Sequence, residues 1–194
     1  MYLSRGVTVA ACVSTLLLSA AACGNDADNS GSQSPRLVRL YGTDGNMSNS
    51  FGEAFKDQPG ILAGMKGTAL ITQLSASFRN RLHEVDPTLK DYAYSAHAYD
   101  AVVIISIATE LAGTTNPGEV AKYINGVTTG GKECDIVEQC LQLARAGDDL
   151  AYRGVSMRRG GFTDAGEPST ATYATLYFDE NDKLDDGKTE YVGA

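Results

Sequence analysis

Apolar and polar positions follow two different patterns along this chain. The first is the pattern of β-strands, and it predicts strands near both ends. Runs rich in β-branched and apolar residues at 36–41 and 64–71 are typical of strands. Between them, residues 42–50 are rich in Gly, Asp, Asn and Ser and interrupt the pattern. Residues 171–179 alternate apolar and polar side chains, which predicts another strand, and residues 189–193 predict a short edge strand.

The second pattern is helical and occupies the middle of the chain. Large apolar residues recur at helical spacing through residues 73–85, where Pro87 ends the element. Residues 92–113 are apolar on most faces and stop at a glycine, as expected for a buried helix. Shorter helices are predicted over residues 118–127 and 137–147. Helices between terminal strands predict an α/β fold, and no internal repeat is visible.

The first residues predict export. Arg5 precedes an apolar and small-residue run at residues 6–22, which is too short and too rich in Ser, Thr and Gly for a membrane span. The run ends in LSAAAC and resembles a bacterial lipobox, in which the signal is cut before the cysteine and the cysteine carries lipid. We therefore predict a signal peptide over residues 1–22 and lipidation of Cys23, with an ordinary secretory signal as the alternative.

The residues after the predicted cleavage site divide into a tether and a domain. Residues 23–34 comprise the lipidated cysteine and a polar segment without large apolar side chains, which predicts a flexible tether. Residues 35–194 are long enough for one domain. Acyl chains on Cys23 would hold this domain on the outer surface of the cell membrane.

Two cysteines remain in the domain, Cys134 and Cys140. In an exported protein their spacing favours a short-loop disulfide. A redox pair and half of a zinc site are the alternatives, although the first prefers two intervening residues and the second needs two further ligands.

Composition restricts the remaining chemistry. The chain is 43% hydrophobic and 21% charged, as in globular proteins, and its net charge of −8 argues against nucleic acid as a partner. Only His83 and His97 are available for histidine chemistry, and the place of His97 on the most hydrophobic helix predicts a packing role.

Motifs for catalysis and metal binding fail at defining positions. A calcium loop beginning at Asp44 would need Gly and Glu where the chain has Asn49 and Phe55. Residues 126–132 have the spacing of a phosphate loop, but Glu133 replaces the required Ser or Thr. No nucleophile elbow is present. We predict no enzyme activity, no cofactor and no metal site.

An ordered series of segments resembles a known family. The segments are YGTDGNMSNSF, LAGMKGT, YSAHAYDAVVI, CDIVEQC, LAYRGVS and FTDAGEPSTATYATLYF. In this order they resemble the C-terminal half of leucine-type, or type I, periplasmic substrate-binding proteins, in the actinobacterial lipoprotein branch. These proteins are the receptors of ABC importers.

The resemblance implies part of a three-layer α/β fold with a mostly parallel sheet. In the family two lobes close on an amino acid or similar solute, and this chain matches only one half, so the resemblance implies a truncated member. It also implies that Asp44, with Thr43 beside it, binds the ammonium group of the solute. The helix over residues 92–113 would lack its usual cover, which predicts loose packing, oligomers or dependence on a complementing lobe.

The expected function is that of a lipid-anchored, extracytoplasmic solute-binding protein for an amino acid or amide. Its expected partners are the solute, an ABC permease or a complementing lobe, and the membrane through the lipid. A non-transporting surface lipoprotein that acts through a partner protein is the alternative.

Overall fold

Six strands and five helices occur in residues 38–193, the part of the chain that the computed structural model describes. The strands are β1 (Tyr41–Gly42), β2 (Lys66–Ala69), β3 (Lys132–Cys134), β4 (Leu150–Tyr152), β5 (Thr172–Tyr177) and β6 (Glu190–Gly193). The helices are α1 (Asn49–Glu53), α2 (Ala76–Val85), α3 (Ser95–Ala112), α4 (Pro117–Val120) and α5 (Val137–Ala146). The predicted α/β class is confirmed. The predicted signal peptide, Cys23 and the tether lie outside the described residues.

Four strands form one sheet in the order β1-β2-β5-β6, and β3 and β4 form a separate pair. The expected parallel pairing is present between β1 and β2 and between β3 and β4. β5 runs antiparallel to β2, and β6 runs antiparallel to β5. The four-stranded sheet is therefore mixed, with one parallel pair and two antiparallel pairs.

The predicted strands are present at the predicted positions, but each is shorter than predicted. β2, β5 and the edge strand β6 lie within the predicted segments. The first strand is shorter than predicted within the described residues, since residues 38–40 are not in a strand and pairing with β2 begins at Tyr41. Val38 is 83% exposed, so the apolar side chain there is not buried by the fold.

The helix predictions are confirmed for the three longer helices. The Ser75 side chain accepts a hydrogen bond from the Phe78 amide at the start of α2, and α2 ends two residues before Pro87. Gly113 and Gly147 end α3 and α5 in the left-handed conformation that glycine adopts without strain. The fourth helix is shorter than predicted, because turns replace it after α4.

Two hydrophobic clusters share the buried apolar side chains. The helical core contains Val103, Ile104, Ile107, Ala108, Val120, Val127, Cys134, Cys140, Ala144, Leu150, Tyr152 and Met157. The sheet core contains Met47, Leu62, Met65, Ala69, Ala174, Leu176 and Phe178. Phe78 of α2 packs edge-on against Tyr99 of α3 with ring centres 5.3 Å apart, which ties α2 to the helical core.

The structure contains the predicted disulfide between Cys134 and Cys140. It joins the end of β3 to the middle of α5, and both residues are buried. The crosslink therefore stabilises the helical core and leaves these cysteines without a free thiol.

Candidate solute-binding site

The polar loop that follows β1 contains both residues predicted to bind solute. Thr43 precedes a single 3-10 turn at Asp44–Asn46, and both side chains are exposed. The Thr43 hydroxyl donates to the Asn46 side chain at 3.2 Å. Within residues 38–193, no group donates a hydrogen bond to the Asp44 carboxylate. The carboxylate is therefore available to an outside donor.

Sheet register determines which other segments lie near this loop. β1 and β2 are parallel, so the chain leaves both strands at the same edge of the sheet. It leaves β1 at Thr43 and β2 at Leu70. β5 is antiparallel to β2 and begins at this edge with Thr172.

A mainly apolar cavity of about 180 Å³ lies at this edge, between α3 and the ends of β2 and β5. We call it the apolar cavity. Its apolar lining includes Leu70, Ala101, Ile104, Met157, Phe162 and Pro168. Asp44 and Thr43 do not line it, so the structure places them at the same sheet edge without joining them to the cavity in one contact surface.

His97 supplies an unusual polar group to the apolar cavity. Its Nδ1 atom is buried and has no hydrogen-bond partner among the described residues. Burial lowers the pKa of the imidazole, and the nearby Asp100 carboxylate raises it by a smaller amount. The neutral ring is therefore favoured at neutral pH, where one nitrogen donates and the other accepts.

Asp100 also lines the cavity, but its oxygens are already occupied. It is 1% exposed and accepts hydrogen bonds from the Tyr152 hydroxyl at 2.8 Å and the Val155 amide at 2.9 Å. The amide and hydroxyl of Ser156 each donate to it at 2.6 Å. Asp100 therefore fixes residues 152–156 against α3 and is not available to a ligand.

Two residues in the segment that Asp100 binds are constrained by its carboxylate, Gly154 and Tyr152. A Cβ atom at Gly154 would lie 2.3 Å from the Asp100 carboxyl carbon, so only glycine fits there without displacement. Burial raises the pKa of the Tyr152 hydroxyl, and the neighbouring Asp100 carboxylate adds to that effect. Tyr152 is therefore a neutral donor to Asp100 at all physiological pH values.

Sequence reasoning missed the apolar cavity and assigned His97 only a packing role. The available signal was the spacing of His97 and Asp100, which are three positions apart and therefore on one face of a helix. The partners of that face come mainly from residues 152–172, and no spacing in the sequence links these residues to the helix.

The described part of the chain shows neither a cluster of metal ligands nor a membrane-spanning helix. Among residues 38–193, no three His, Cys, Asp or Glu side chains are grouped so that they could hold a metal ion. None of the described helices is long and apolar enough to span a membrane.

Comparisons with known proteins give a similarity to solved structures. No family model matches the chain, and no curated protein matches it. The solved structure of the leucine binding protein LivK from Thermotoga maritima aligns with 79% of this chain at 15% identity and a TM-score of 0.48. This chain covers 36% of the length of that protein.

Proposed function

We propose that this chain binds a small aliphatic amino acid or amide and acts as a lipid-anchored, extracytoplasmic solute receptor of an ABC importer. The observation that carries the proposal is the apolar cavity, which lies at the sheet edge where the Thr43 and Asp44 loop begins. The importer role and the anchor rest on the sequence resemblance and on the lipobox-like segment before Cys23.

The size and lining of the cavity support a small solute with an aliphatic part. A protein cavity of about 150 Å³ is large enough for benzene, and the apolar cavity encloses about 180 Å³. Its apolar walls favour a hydrocarbon group, and His97 offers one polar contact. The Asp44 carboxylate suits the ammonium group of an amino acid, which donates three hydrogen bonds.

A thermal-unfolding screen of the purified chain against aliphatic amino acids and small amides tests this function. A ligand at about 100 times its dissociation constant adds about 2.7 kcal/mol to the free energy of unfolding. We expect Ala101→Phe to remove the effect by filling the cavity. Ala98→Phe is the matched control, because Ala98 is exposed on the same helix and does not line the cavity.

A second pair of variants tests the ammonium contact. Asp44→Ala should weaken binding of amino acids, whereas Asp57→Ala, at another exposed aspartate, should leave it unchanged. Stabilisation that survives Asp44→Ala but not Ala101→Phe would remove Asp44 from the site and keep the cavity. If no compound stabilises the chain, the receptor function is wrong.

One observation favours the alternative function, a surface lipoprotein that acts through a partner protein. Val102 and Ile105 of α3 are 65% and 53% exposed and lie on the outer face of the helix. Contiguous exposed apolar side chains are typical of surfaces that contact other proteins, and these two are neighbours three positions apart on the helix. Failure of the solute screen would leave this second function as the remaining candidate.

A further inference from the structure

A second, polar cavity of about 60 Å³ lies between α2, the sheet and residues 90–93. We call it the polar cavity. Its lining includes Thr72, just after β2, and Arg79 of α2, together with Asp91, Tyr92, Leu176 and Tyr191. It shares no lining residue with the apolar cavity, so the two are separate sites.

Two residues that line the polar cavity each have a buried polar atom without a hydrogen-bond partner in the described part of the chain. Within residues 38–193 only three buried side-chain nitrogen or oxygen atoms lack a hydrogen bond, and two of them are Thr72 Oγ1 and Arg79 Nε. Buried polar groups in native proteins are nearly always paired, since an unpaired one has lost its water without compensation. Two such atoms in residues that line one small cavity indicate a missing partner.

The chemistry of these atoms defines that partner. The Arg79 Nε–H group can only donate, and the Thr72 hydroxyl can donate as well. A partner that accepts from both atoms, as the two oxygens of a carboxylate can, would satisfy them together.

The fixed charge of the Arg79 guanidinium favours a carboxylate over a neutral acceptor, and the carboxylates of Asp91 and Asp186, which also line the cavity, oppose an anion. Asp91 uses one oxygen for the backbone and side-chain nitrogens of Asn49, both at 2.9 Å. Asp186 lies 3.5 Å from Arg79, but its side chain is 80% exposed, so this surface pair neutralises Arg79 weakly. The guanidinium also lies over the ring of Tyr92 at 5.2 Å, which holds it against the cavity wall.

An adjacent groove gives an entry path. The polar cavity shares Asn49, Lys90 and Leu184 with a groove of about 590 Å³. Lys56, Lys90 and Lys183 line this groove against the carboxylates of Glu53 and Asp182, which leaves a small net positive charge in its lining. That charge favours the approach of an anion, and the groove has room for the rest of an acid larger than acetate.

We propose that Thr72 and Arg79 bind the carboxylate group of a small organic acid that enters through this groove. The carboxylate oxygens accept from Thr72 Oγ1 and Arg79 Nε. The proposal does not depend on the solute function proposed above, because neither residue lines the apolar cavity.

Titration of the full chain with acetate, followed by the NMR signal of the Arg79 Nε–H group, tests the proposal. We expect a saturable shift of this signal that sodium chloride at the same ionic strength does not produce. Thr72→Val and Arg79→Lys should each weaken acetate binding about tenfold or more, since each removes a hydrogen bond to a charged group. For the lysine variant, binding is followed through the backbone amides of residues 72–79.

Matched controls separate the site from general effects of charge and folding. Thr68→Val, at an exposed position of β2, and Arg145→Lys, at a surface ion pair with Glu110, should bind acetate as the parent chain does. Thr72→Val preserves the shape of the side chain, so its acetate binding tests the proposal even if Arg79→Lys does not fold. Acetamide, which lacks the charge, should bind more weakly than acetate.

Three results would overturn the proposal. They are the absence of a saturable shift, an equal response to chloride, and equal binding of acetamide. The first would mean that water alone fills the polar cavity, the second that the shift reports ionic strength or chloride, and the third that the ligand is a neutral acceptor.

Discussion

Asp100 is a charged side chain that the fold removes almost completely from solvent. Its two oxygens accept four hydrogen bonds, two of them from backbone amides in a segment that is neither helix nor strand. This one residue therefore supplies the hydrogen bonding that secondary structure would otherwise give to residues 155–156.

Replacing Asp100 by Asn should lower the free energy of unfolding by about 3 kcal/mol. The amide keeps the shape of the carboxylate but turns one acceptor into a donor, which then faces a donor such as the Ser156 amide. Urea unfolding followed by circular dichroism measures the change. Asp164→Asn, at an exposed loop position, is the control and should alter stability by less than about 0.5 kcal/mol. Equal stability of the two variants would contradict this role of Asp100.

The importance of Asp100 was not predictable from the sequence. Its donors lie 52, 55 and 56 residues further along the chain. A periodic pattern reveals which face of α3 is apolar, but not which distant loop supplies its polar partners.

At the scale of elements, length and period decided what the sequence could predict. α3 and α5 were predicted because their apolar positions recur over several turns and a glycine ends each of them. β3 and β4 were missed, since each has three residues and offers too few positions for a period. β4 is buried at all three positions, so it has no alternation to detect.

The disulfide ties β3, which has only three residues, to the ten-residue helix α5. Replacing Cys134 and Cys140 together by Ala should lower the free energy of unfolding by about 2 kcal/mol, because the crosslink closes a short loop in the unfolded chain. Denaturant unfolding with and without reductant measures the effect. Reductant should destabilise the parent chain to a similar extent and leave the double variant unaffected, and a parent chain insensitive to reductant would contradict the prediction.

At the scale of the whole molecule, the described residues have two hydrophobic cores with an open cavity between α3 and the sheet edge. We expect heat unfolding to depart from a two-state transition, with a calorimetric enthalpy larger than the van't Hoff enthalpy. Exposed Val102 and Ile105 should also bind a hydrophobic dye before unfolding begins. A solute in the apolar cavity should contact both α3 and the ends of β2 and β5. We therefore expect it to make the helical core and the sheet core unfold in a single transition.

Differential scanning calorimetry over a range of chain concentrations makes this measurement. Val102→Lys with Ile105→Lys should reduce dye binding, whereas the polar pair Ser106→Lys and Thr109→Lys, on the same helix, should not. One sharp two-state transition of a monomer that binds no dye would show that the two cores unfold as a unit.

The strand order β1-β2-β5-β6 has a consequence for the order in which the chain is synthesised. β1 and β2 are made first, yet β2 needs β5 as its neighbour, and the Asp182 side chain binds the amides of Gly60 and Leu62, 122 and 120 residues earlier. The helical core, in contrast, is drawn from one continuous stretch of residues 103–157. During synthesis the helical core can therefore form before β5 and β6 are available to pair with β2. In that interval β2 has an unpaired edge, which is the part that a chaperone would have to protect.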